Sequence, residues 1–412
     1  MSSYKRWVIY VASAFLVLAA ALTGQSQMYF MAAILLCLPV VSYTLGMLAL
    51  RDLEFSRDTP GSGWDGDTVE FQLVVKSRSR TARLCLEAQD HLPEWLQPEE
   101  DASILFSAPP KATTYVPYRV RLGKRGAYKL EWVTVTAQDP LGIFAFSKRI
   151  PTESEFLVYP VPEAIPDIVL TGAERYGFRD LPVAAVRGSG IDPDGVREYT
   201  PGDPLRRVHW KSTARTGKLS VIEYEESRAV NVVLVLDRFR ESNVGRGKET
   251  TFEYLIRMAA SLAQSAVRQG ASVRLVSDGM SSGESAGRGN EHLYAVLGGL
   301  ARAEADDEER LSATVINRAG LLAPGTTMVV LTSGLDSDLP NTLSHYTTNG
   351  AQVVVIYADP RSFDPSAAAP GREAQRMLIQ GLFGARTAPF LLSHNPERQL
   401  RPEAIEDVRL LQ

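Results

Sequence analysis

The chain has 412 residues, of which 22% are charged, and a formal net charge of −4. This length exceeds the usual size of one domain. The slightly acidic balance argues against a general nucleic-acid binder, which normally carries a strongly basic domain or stripe. With only two cysteines, the composition indicates no disulfide framework and agrees with a reducing compartment.

The N-terminal segment has no charged residue between Arg6 and Arg51. The polar sequence Gly24–Gln27 divides it into two apolar stretches, each long enough for the roughly 20 residues that cross a hydrocarbon core. Lys5 and Arg6 precede the first stretch and Arg51 follows the second, so the positive-inside rule places both ends in the cytoplasm. We therefore expect a two-pass inner-membrane protein in which residues 1–51 form a transmembrane hairpin and the soluble domains are cytoplasmic.

A cleaved signal peptide is the alternative for the first stretch. A basic start, an apolar core and the small residues Ala19–Ala21 resemble the three regions of such a peptide. A second apolar stretch follows at once, however, and a signal peptide does not require one. The sequence therefore favours the hairpin.

Residues 52–165 have a β pattern. Thr68–Val75 and Tyr128–Val135 are rich in β-branched and aromatic residues with partial alternation, and clusters of Gly, Pro and Asp separate such stretches. Several short strands without helical periodicity predict a β-sandwich-like domain. Pro160 and Pro162 mark its expected exit.

Residues 166–228 form a connector with dense turn, cap and charge signals. Pro201–Gly202 suits the centre of a type II turn. Asp203 is expected to cap a helix that begins at Pro204 and ends at Gly217. The helix carries four basic residues, Arg206, Arg207, Lys211 and Arg215.

Residues 229–412 alternate strands with helices. The predicted elements are the strands Val230–Leu236, Ser272–Val276, Thr327–Leu331 and Gln352–Tyr357, the helix Thr251–Arg268 and a short helix near Asn341–Tyr346. The strands are nearly continuous apolar runs, as expected of a parallel sheet buried on both faces. The alternation predicts a three-layer α/β domain with right-handed crossovers.

Several motifs resemble those of the bacterial "domain of unknown function 58" family. They are Arg197-Glu198-Tyr199, Pro201-Gly202-Asp203, Arg207 to Lys211, and further upstream Lys124–Tyr128 and Asp139–Phe144. The resemblance implies that the α/β domain is a von Willebrand factor type A-like domain. It also implies a partner, since such proteins are commonly encoded beside MoxR-type AAA+ ATPases.

A metal site is conceivable at the carboxyl ends of the strands, where open α/β sheets bind ligands. Type A domains that hold Mg²⁺ have Asp-x-Ser-x-Ser after the first strand and an Asp after a later one. Here Asp237 remains, but both serine positions are lost, one of them to Glu241, and the later Asp position is Ser333. Too few oxygen ligands survive for Mg²⁺, so we expect no metal and no cofactor, with Asp237 satisfied by backbone amides. Divalent-cation adhesion is the less favoured alternative.

The connector allows two further interpretations. Between Asp203 and Lys218 there are five basic residues and one acidic residue, which could bind phosphate. Charges over residues 187–228 nearly cancel, however, so a paired or solvated network is favoured and no nucleic acid is expected. Asp203 and His209, with a hydroxyl such as that of Ser212, could also serve a hydrolase or transferase subunit, but the chain lacks the usual nucleophile and zinc motifs.

The sequence therefore predicts a non-enzymatic, membrane-anchored cytosolic scaffold. By family resemblance, it would act with a MoxR-type AAA+ ATPase in assembling or maturing protein complexes. The main alternative is a membrane-associated hydrolase or transferase subunit that uses Asp203 and His209. The residues predicted to bind the partner are Arg197, Glu198, Tyr199, Asp203, Arg206, Arg207, Trp210, Lys211 and Arg215.

Overall fold

A computed structural model describes most of the chain as two compact units, Met1–Pro160 and Val161–Gln412. The residues that it describes are 2–99, 103–139, 142–165, 193–200, 208–224, 231–277, 285–364, 372–394, 400 and 402–405. The first unit contains two helices and a sheet-rich domain, and the second is a mixed α/β region.

Two apolar helices open the first unit. Helix α1 spans Ser2–Thr23 and helix α2 spans Ser26–Ala49. They are joined at Gly24, whose φ of 68° lies in the left-handed region that favours glycine. Both helices are long and apolar enough to cross a membrane. The predicted pair of apolar helices is therefore confirmed.

Two sheets follow the helices. The strands are β1 Leu53–Asp58, β2 Ser62–Trp64, β3 Thr68–Ser77, β4 Arg83–Asp90, β5 Leu96–Pro98, β6 Ser103–Ala108, β7 Thr113–Leu122, β8 Gly126–Gln138 and β9 Ala145–Tyr159. One sheet has the order β1-β3-β7-β5 and the other β2-β9-β8-β4-β6. Side chains alternate between the interior and the surface along β3 because successive residues of a strand point to opposite faces. Phe71 of one sheet packs on Phe156 of the other, with ring centroids 4.9 Å apart.

A buried ion pair lies inside this β-domain. Nη2 of Arg57 lies 2.6 Å from Oδ1 of Asp90, and the side chains are 0% and 6% exposed. Arg57 also donates hydrogen bonds to the carbonyl oxygens of Leu130, at 3.1 Å, and Thr152, at 2.7 Å. The hydroxyl of Tyr118 donates to Asp90. Burial and the negative charge of Asp90 raise the pKa of Tyr118, so it stays protonated.

The β-domain contacts helix α2 through the residues between β8 and β9. Asp139 is buried and accepts hydrogen bonds from the backbone N–H of Ile143, at 2.7 Å, and of Phe144, at 2.6 Å. The hydroxyl of Ser42 in α2 also donates to Asp139. Tyr43 packs edge-on against Phe144, with ring centroids 5.5 Å apart. The family-like motif at Asp139 therefore joins the domain to the end of the hairpin.

The second unit is built on a mainly parallel sheet. Its strands are β12 Asn231–Leu236, β15 Ser272–Val276, β16 Thr327–Thr332, β17 Gln352–Ala358, β18 Ala388–Leu392 and β19 Pro402–Ala404, in the order β15-β12-β16-β17-β18-β19. Only the edge pair β18 and β19 is antiparallel among these described strands. The four predicted strands are confirmed to within one residue at each end.

Short strands and helices complete this unit. They are β10 Pro193–Glu198, α3 Trp210–Thr216, β11 Ser220–Tyr224, β13 Gly245–Arg246, β14 Glu249–Thr250, α4 Thr251–Arg268, α5 Gly289–Arg302, α6 Leu311–Thr314, α7 Leu339–Thr348, α8 Pro360–Phe363 and α9 Arg372–Gly384. Helix α4 has the predicted bounds because Thr250 caps it, accepting a hydrogen bond from the N–H of Glu253 at 3.2 Å.

The connector differs from its predicted form. Strands β10 and β11 pair antiparallel, and α3 lies between them in the chain. The predicted helix should run from Pro204, but Val208 instead forms a β-bridge with Val221. The N–H of His209 donates to the carbonyl of Ser220 at 2.8 Å. A helix through Val208 is therefore wrong, because β11 supplies a partner for an extended backbone; Pro204 itself lies outside the described residues.

Candidate functional site

The carboxyl ends of β12 and β16 meet at Asp237. The N–H of Asp237 donates to the carbonyl of Leu331 at 2.9 Å, which joins the two strand ends. The carboxylate is buried and accepts hydrogen bonds from the Thr332 hydroxyl at 2.6 Å and the N–H of Phe239 at 3.0 Å. The hydroxyl of Ser242 lies 3.5 Å away. Asp237 is thus held by hydroxyls and a backbone amide.

Burial sets the electrostatics at Asp237. Removal from water raises the pKa of Asp237, because the charged form loses its hydration. Hydrogen bonds from Thr332 and from the backbone N–H of Phe239 and Gly334 oppose the rise, and the negative charge of Asp336 adds to it. Asp237 is therefore a buried acidic residue whose hydrogen-bond donors are neutral hydroxyl and backbone N–H groups.

The other two residues considered for a metal site, Ser333 and Glu241, have different surroundings. The buried Ser333 donates its hydroxyl hydrogen to the carbonyl of Ser242 at 2.8 Å. Glu241 lies in the 3₁₀ turn Arg240–Ser242 and is exposed. Across the described part of the chain, no group of three His, Cys, Asp or Glu residues could hold a metal ion. The Ser333 hydroxyl is thus engaged with the backbone of Ser242, and Glu241 is exposed on the same turn.

An acidic segment lies against the loop that follows β12. Arg238 pairs with Asp306 at 2.5 Å and donates from Nε to the carbonyl of Glu304 at 2.9 Å. Backbone hydrogen bonds run in both directions beside this pair, from the N–H of Arg240 to the carbonyl of Asp307 at 2.9 Å and from the N–H of Asp307 to the carbonyl of Arg238 at 3.1 Å. The run of acids between Ala303 and Arg310 is therefore more than a solvated face, because it fixes the loop at the strand ends.

The connector presents an aromatic and basic surface. Trp210, at the start of α3, is 70% exposed, and Lys211 and Arg215 on the same helix are exposed. Tyr199 is half-buried, and its N–H donates to the carbonyl of Leu219 at 2.8 Å. We call Tyr199, Trp210, Lys211 and Arg215 the connector surface.

The side chains of the five other predicted binding residues are not among those that the structure describes. Arg197 and Glu198 lie in β10, where the structure describes the backbone alone. Asp203, Arg206 and Arg207 lie outside the described residues. The connector surface is therefore the described part of the predicted binding site.

His209 forms the cap of α3. Its Nδ1 lies 2.7 Å from the Ser212 hydroxyl and accepts from the N–H of Ser212 at 3.3 Å. The C-terminal end of α3 is Gly217, whose φ of 70° lies in the left-handed region, as predicted. The histidine and a hydroxyl are thus in hydrogen-bond contact, and the carboxylate proposed to complete the set, Asp203, lies outside the described residues.

A third polar cluster was not predicted from the sequence. Glu249 in β14 accepts a hydrogen bond from the Tyr254 hydroxyl at 3.0 Å and lies 3.2 Å from Nε2 of His394. Phe363 packs against Tyr254, with ring centroids 4.8 Å apart. These residues are up to 145 positions apart, so local sequence patterns do not link them. The sequence feature that could have suggested a role for His394 is its position shortly after an apolar strand, at the end of which ligands often bind.

Comparison with known proteins finds a match to a family model and a relative that covers most of the chain. Residues 195–364 match the family model described as "Protein of unknown function DUF58". The uncharacterized protein YeaD of Bacillus subtilis (strain 168) is 25% identical over 340 residues, which cover 80% of this chain and 82% of YeaD.

Solved structures give low similarity. The CARDB domain of a Pyrococcus furiosus protein matches with a TM-score of 0.19 and 11% identity, covering 26% of this chain and 94% of that domain. The sporulation control protein Spo0M of Bacillus subtilis matches with a TM-score of 0.17 and 16% identity, covering 32% of this chain and 58% of Spo0M. These likenesses carry no argument about fold or function. The family match covers residues 195–364, which run from β10 to α8.

Proposed function

We propose that the chain is a membrane-anchored scaffold whose connector surface binds a protein partner. The observation that carries the proposal is the exposed Trp210. Tryptophan buries a large area on contact, and Trp and Arg are enriched among the residues that dominate binding energy. An indole at 70% exposure beside Lys211 and Arg215 has the composition of such an anchor.

The α/β region supports a docking role without bond chemistry. Its parallel strand order and the position of Asp237 at a strand end are consistent with a von Willebrand factor type A-like domain, which we propose as its fold. The Asp237 carboxylate accepts hydrogen bonds from the Thr332 hydroxyl and the backbone N–H of Phe239. We therefore propose that this edge of the sheet acts as a rigid support and not as a metal-dependent binding site.

The proposed partner is a MoxR-type AAA+ ATPase, on the strength of the family resemblance. The two apolar helices anchor the protein in the inner membrane, and the basic residues Lys5, Arg6 and Arg51 orient both ends of the hairpin toward the cytoplasm. A cytoplasmic ATPase then has direct access to the connector surface. The scaffold would hold that ATPase beside the complexes that it assembles or matures.

A photo-crosslinking experiment tests the partner. A benzophenone amino acid replaces Trp210 in the full chain, and the chain is crosslinked in native membranes and its adducts are identified by mass spectrometry. The matched control places the same probe at Tyr294, a half-exposed aromatic residue on α5. We expect an AAA+ ATPase adduct at position 210 and much less at position 294. Equal adducts at both positions, or no AAA+ ATPase at position 210, would contradict the proposal.

A hydrolase or transferase site is the second candidate. It rests on the 2.7 Å contact between Nδ1 of His209 and the hydroxyl of Ser212. The same nitrogen caps α3, however, so the contact already has a structural purpose. Labelling of the full chain by a serine-reactive fluorophosphonate, lost in Ser212→Ala and retained in Ser344→Ala, would favour this candidate over the scaffold.

A further inference from the structure

The end of the β-domain beside helix α2 is formed by two loops. Leu53, four residues after α2, pairs with Ser77 at the end of β3. The N–H of Arg78 donates to the carbonyl of Asp52 at 2.9 Å, and the N–H of Lys111 donates to the carbonyl of Ser79 at 3.1 Å. The β3–β4 loop and the β6–β7 turn therefore lie next to the point where the chain leaves the hairpin.

This end of the domain carries an excess of positive charge. We call Arg51, Arg80, Arg83 and Lys111 the basic collar. Arg51, Arg80 and Lys111 are exposed, and Arg83 is half-buried. Of the carboxylates described at this end, Glu54 is paired with Arg78 at 2.5 Å, Asp139 is buried, and Asp52 is exposed.

The opposite end of the domain carries charges of both signs. Strands β3, β4, β7, β8 and β9 run the length of the domain, so the residues at their other ends lie far from α2. The carboxylates there are Asp58, Asp65, Asp67, Glu94 and Glu99, all exposed or half-buried. Basic residues, Arg121 and Lys124 among them, lie toward that end as well, so the excess of positive charge is confined to the end beside α2.

We propose that the basic collar binds the headgroups of anionic phospholipids in the membrane that holds the hairpin. The proposal rests on the membrane anchoring proposed above. Anionic membrane surfaces attract Lys and Arg that lie within a Debye length, about 8 Å at physiological salt. Arg51 follows shortly after the membrane-length helix α2, and the other collar residues lie on or beside the loops next to this exit from the hairpin. Guanidinium groups also bind phosphate oxygens in bidentate geometry.

An exposed apolar side chain supports lipid as the ligand. Leu84, next to Arg83 in the chain, is 60% exposed. A leucine beside basic residues can enter the boundary between headgroups and acyl chains while the charges stay at the phosphates. Lipid therefore fits both the position and the composition of this surface.

A fluorescent probe can report lipid binding in the full chain. Cys85 is exposed and adjoins Leu84, so an environment-sensitive dye can be attached to it once Cys37 in α2 is replaced by alanine. The labelled chain is purified in an uncharged detergent and titrated with short-chain phosphatidylglycerol, short-chain phosphatidylcholine or inorganic phosphate. We expect phosphatidylglycerol to bind at least about tenfold more tightly than phosphatidylcholine and more weakly as salt rises.

Charge variants separate the collar from general charge effects. The variant Arg80→Gln, Arg83→Gln, Lys111→Gln should weaken phosphatidylglycerol binding by on the order of a hundredfold, since each basic residue contributes about 1 kcal/mol, or about fivefold. The matched variant Arg119→Gln, Arg121→Gln, Lys129→Gln removes the same charge from exposed positions nearer the opposite end and should bind as before. Equal losses in both variants, or inorganic phosphate binding as tightly as the lipid, would overturn the proposal.

Vesicle flotation distinguishes this inference from the membrane anchoring on which it rests. The full chain, reconstituted with phosphatidylcholine vesicles and washed at high pH, should remain with the vesicles in all variants because the helices are unchanged. A chain that washes off refutes the anchoring. A chain that stays bound but shows no preference for phosphatidylglycerol refutes the collar alone.

Discussion

Replacing Asp90 with alanine should destabilise the β-domain strongly. The Arg57 guanidinium is 0% exposed and lies 2.6 Å from the Asp90 carboxylate. Its hydrogen bonds to the carbonyls of Leu130 and Thr152 keep it in the interior when the carboxylate is removed. A buried charge that loses its partner costs about 3–5 kcal/mol. We expect the free energy of unfolding of the β-domain to fall by about that amount.

Glu54→Ala is the matched control. It also removes one carboxylate that is paired with an arginine, Arg78, at 2.5 Å, but these side chains are 49% and 65% exposed. Exposed ion pairs contribute about 0–1 kcal/mol. Since 1 kcal/mol shifts Tm by roughly 4 °C in a domain of slightly more than 100 residues, Asp90→Ala should lower Tm by about 12–20 °C and Glu54→Ala by at most about 4 °C.

Thermal unfolding of the full chain in detergent measures this difference. The loss of β structure is followed by circular dichroism and by protease cleavage within the β-domain. Combining Arg57→Met with Asp90→Ala should recover part of the lost stability, because the double variant no longer buries an unpaired charge. Equal Tm shifts for Asp90→Ala and Glu54→Ala, or no recovery in the double variant, would refute the reasoning.

Three further variants test other parts of the structure. Gly46→Val should loosen the β-domain from α2 and cost about 1–3 kcal/mol, since a Cβ at Gly46 would lie 2.7 Å from the Phe146 ring; protease cleavage between β8 and β9 should become faster. Asp237→Asn should remove a pH dependence of stability. Because burial raises the pKa of Asp237, the wild type loses stability as the pH rises from the ordinary aspartate range through the pKa of the folded state. Urea unfolding at several pH values should show this loss in the wild type and not in the variant. Gly217→Ala should cost about 1–2 kcal/mol because φ is 70° there, and it should lower the crosslinking yield at Trp210.

The regular elements were predictable because their sequence periods are local. Thr251–Arg268 is an amphipathic helix with a threonine cap, and its predicted bounds agree with the structure. The buried strands were equally clear, since an apolar run such as Val230–Leu236 suits a parallel sheet. The connector was harder: turn and cap signals favoured a helix from Pro204, but pairing with β11 holds Val208 extended. Tertiary hydrogen bonding therefore outweighed local preference.

Contacts between distant residues could not be predicted from local patterns. Ser42 and Asp139 are 97 positions apart, and the motif at Asp139 gave no indication that it contacts the apolar helix α2. The Glu249 and His394 pair spans 145 positions. In both cases a polar side chain acquires its role from the fold that surrounds it.

The Asp237 network gives a physical reason for the prediction that this strand end binds no cation. A divalent ion needs several oxygen ligands with free lone pairs and a net negative site. Thr332 directs its hydroxyl hydrogen at Asp237, and Ser333 directs its own at the carbonyl of Ser242. Arg238 adds a positive charge to the same loop and is fixed there by Asp306. These bonds hold the loop in place by themselves, so we expect partner binding at the connector surface to be insensitive to chelators.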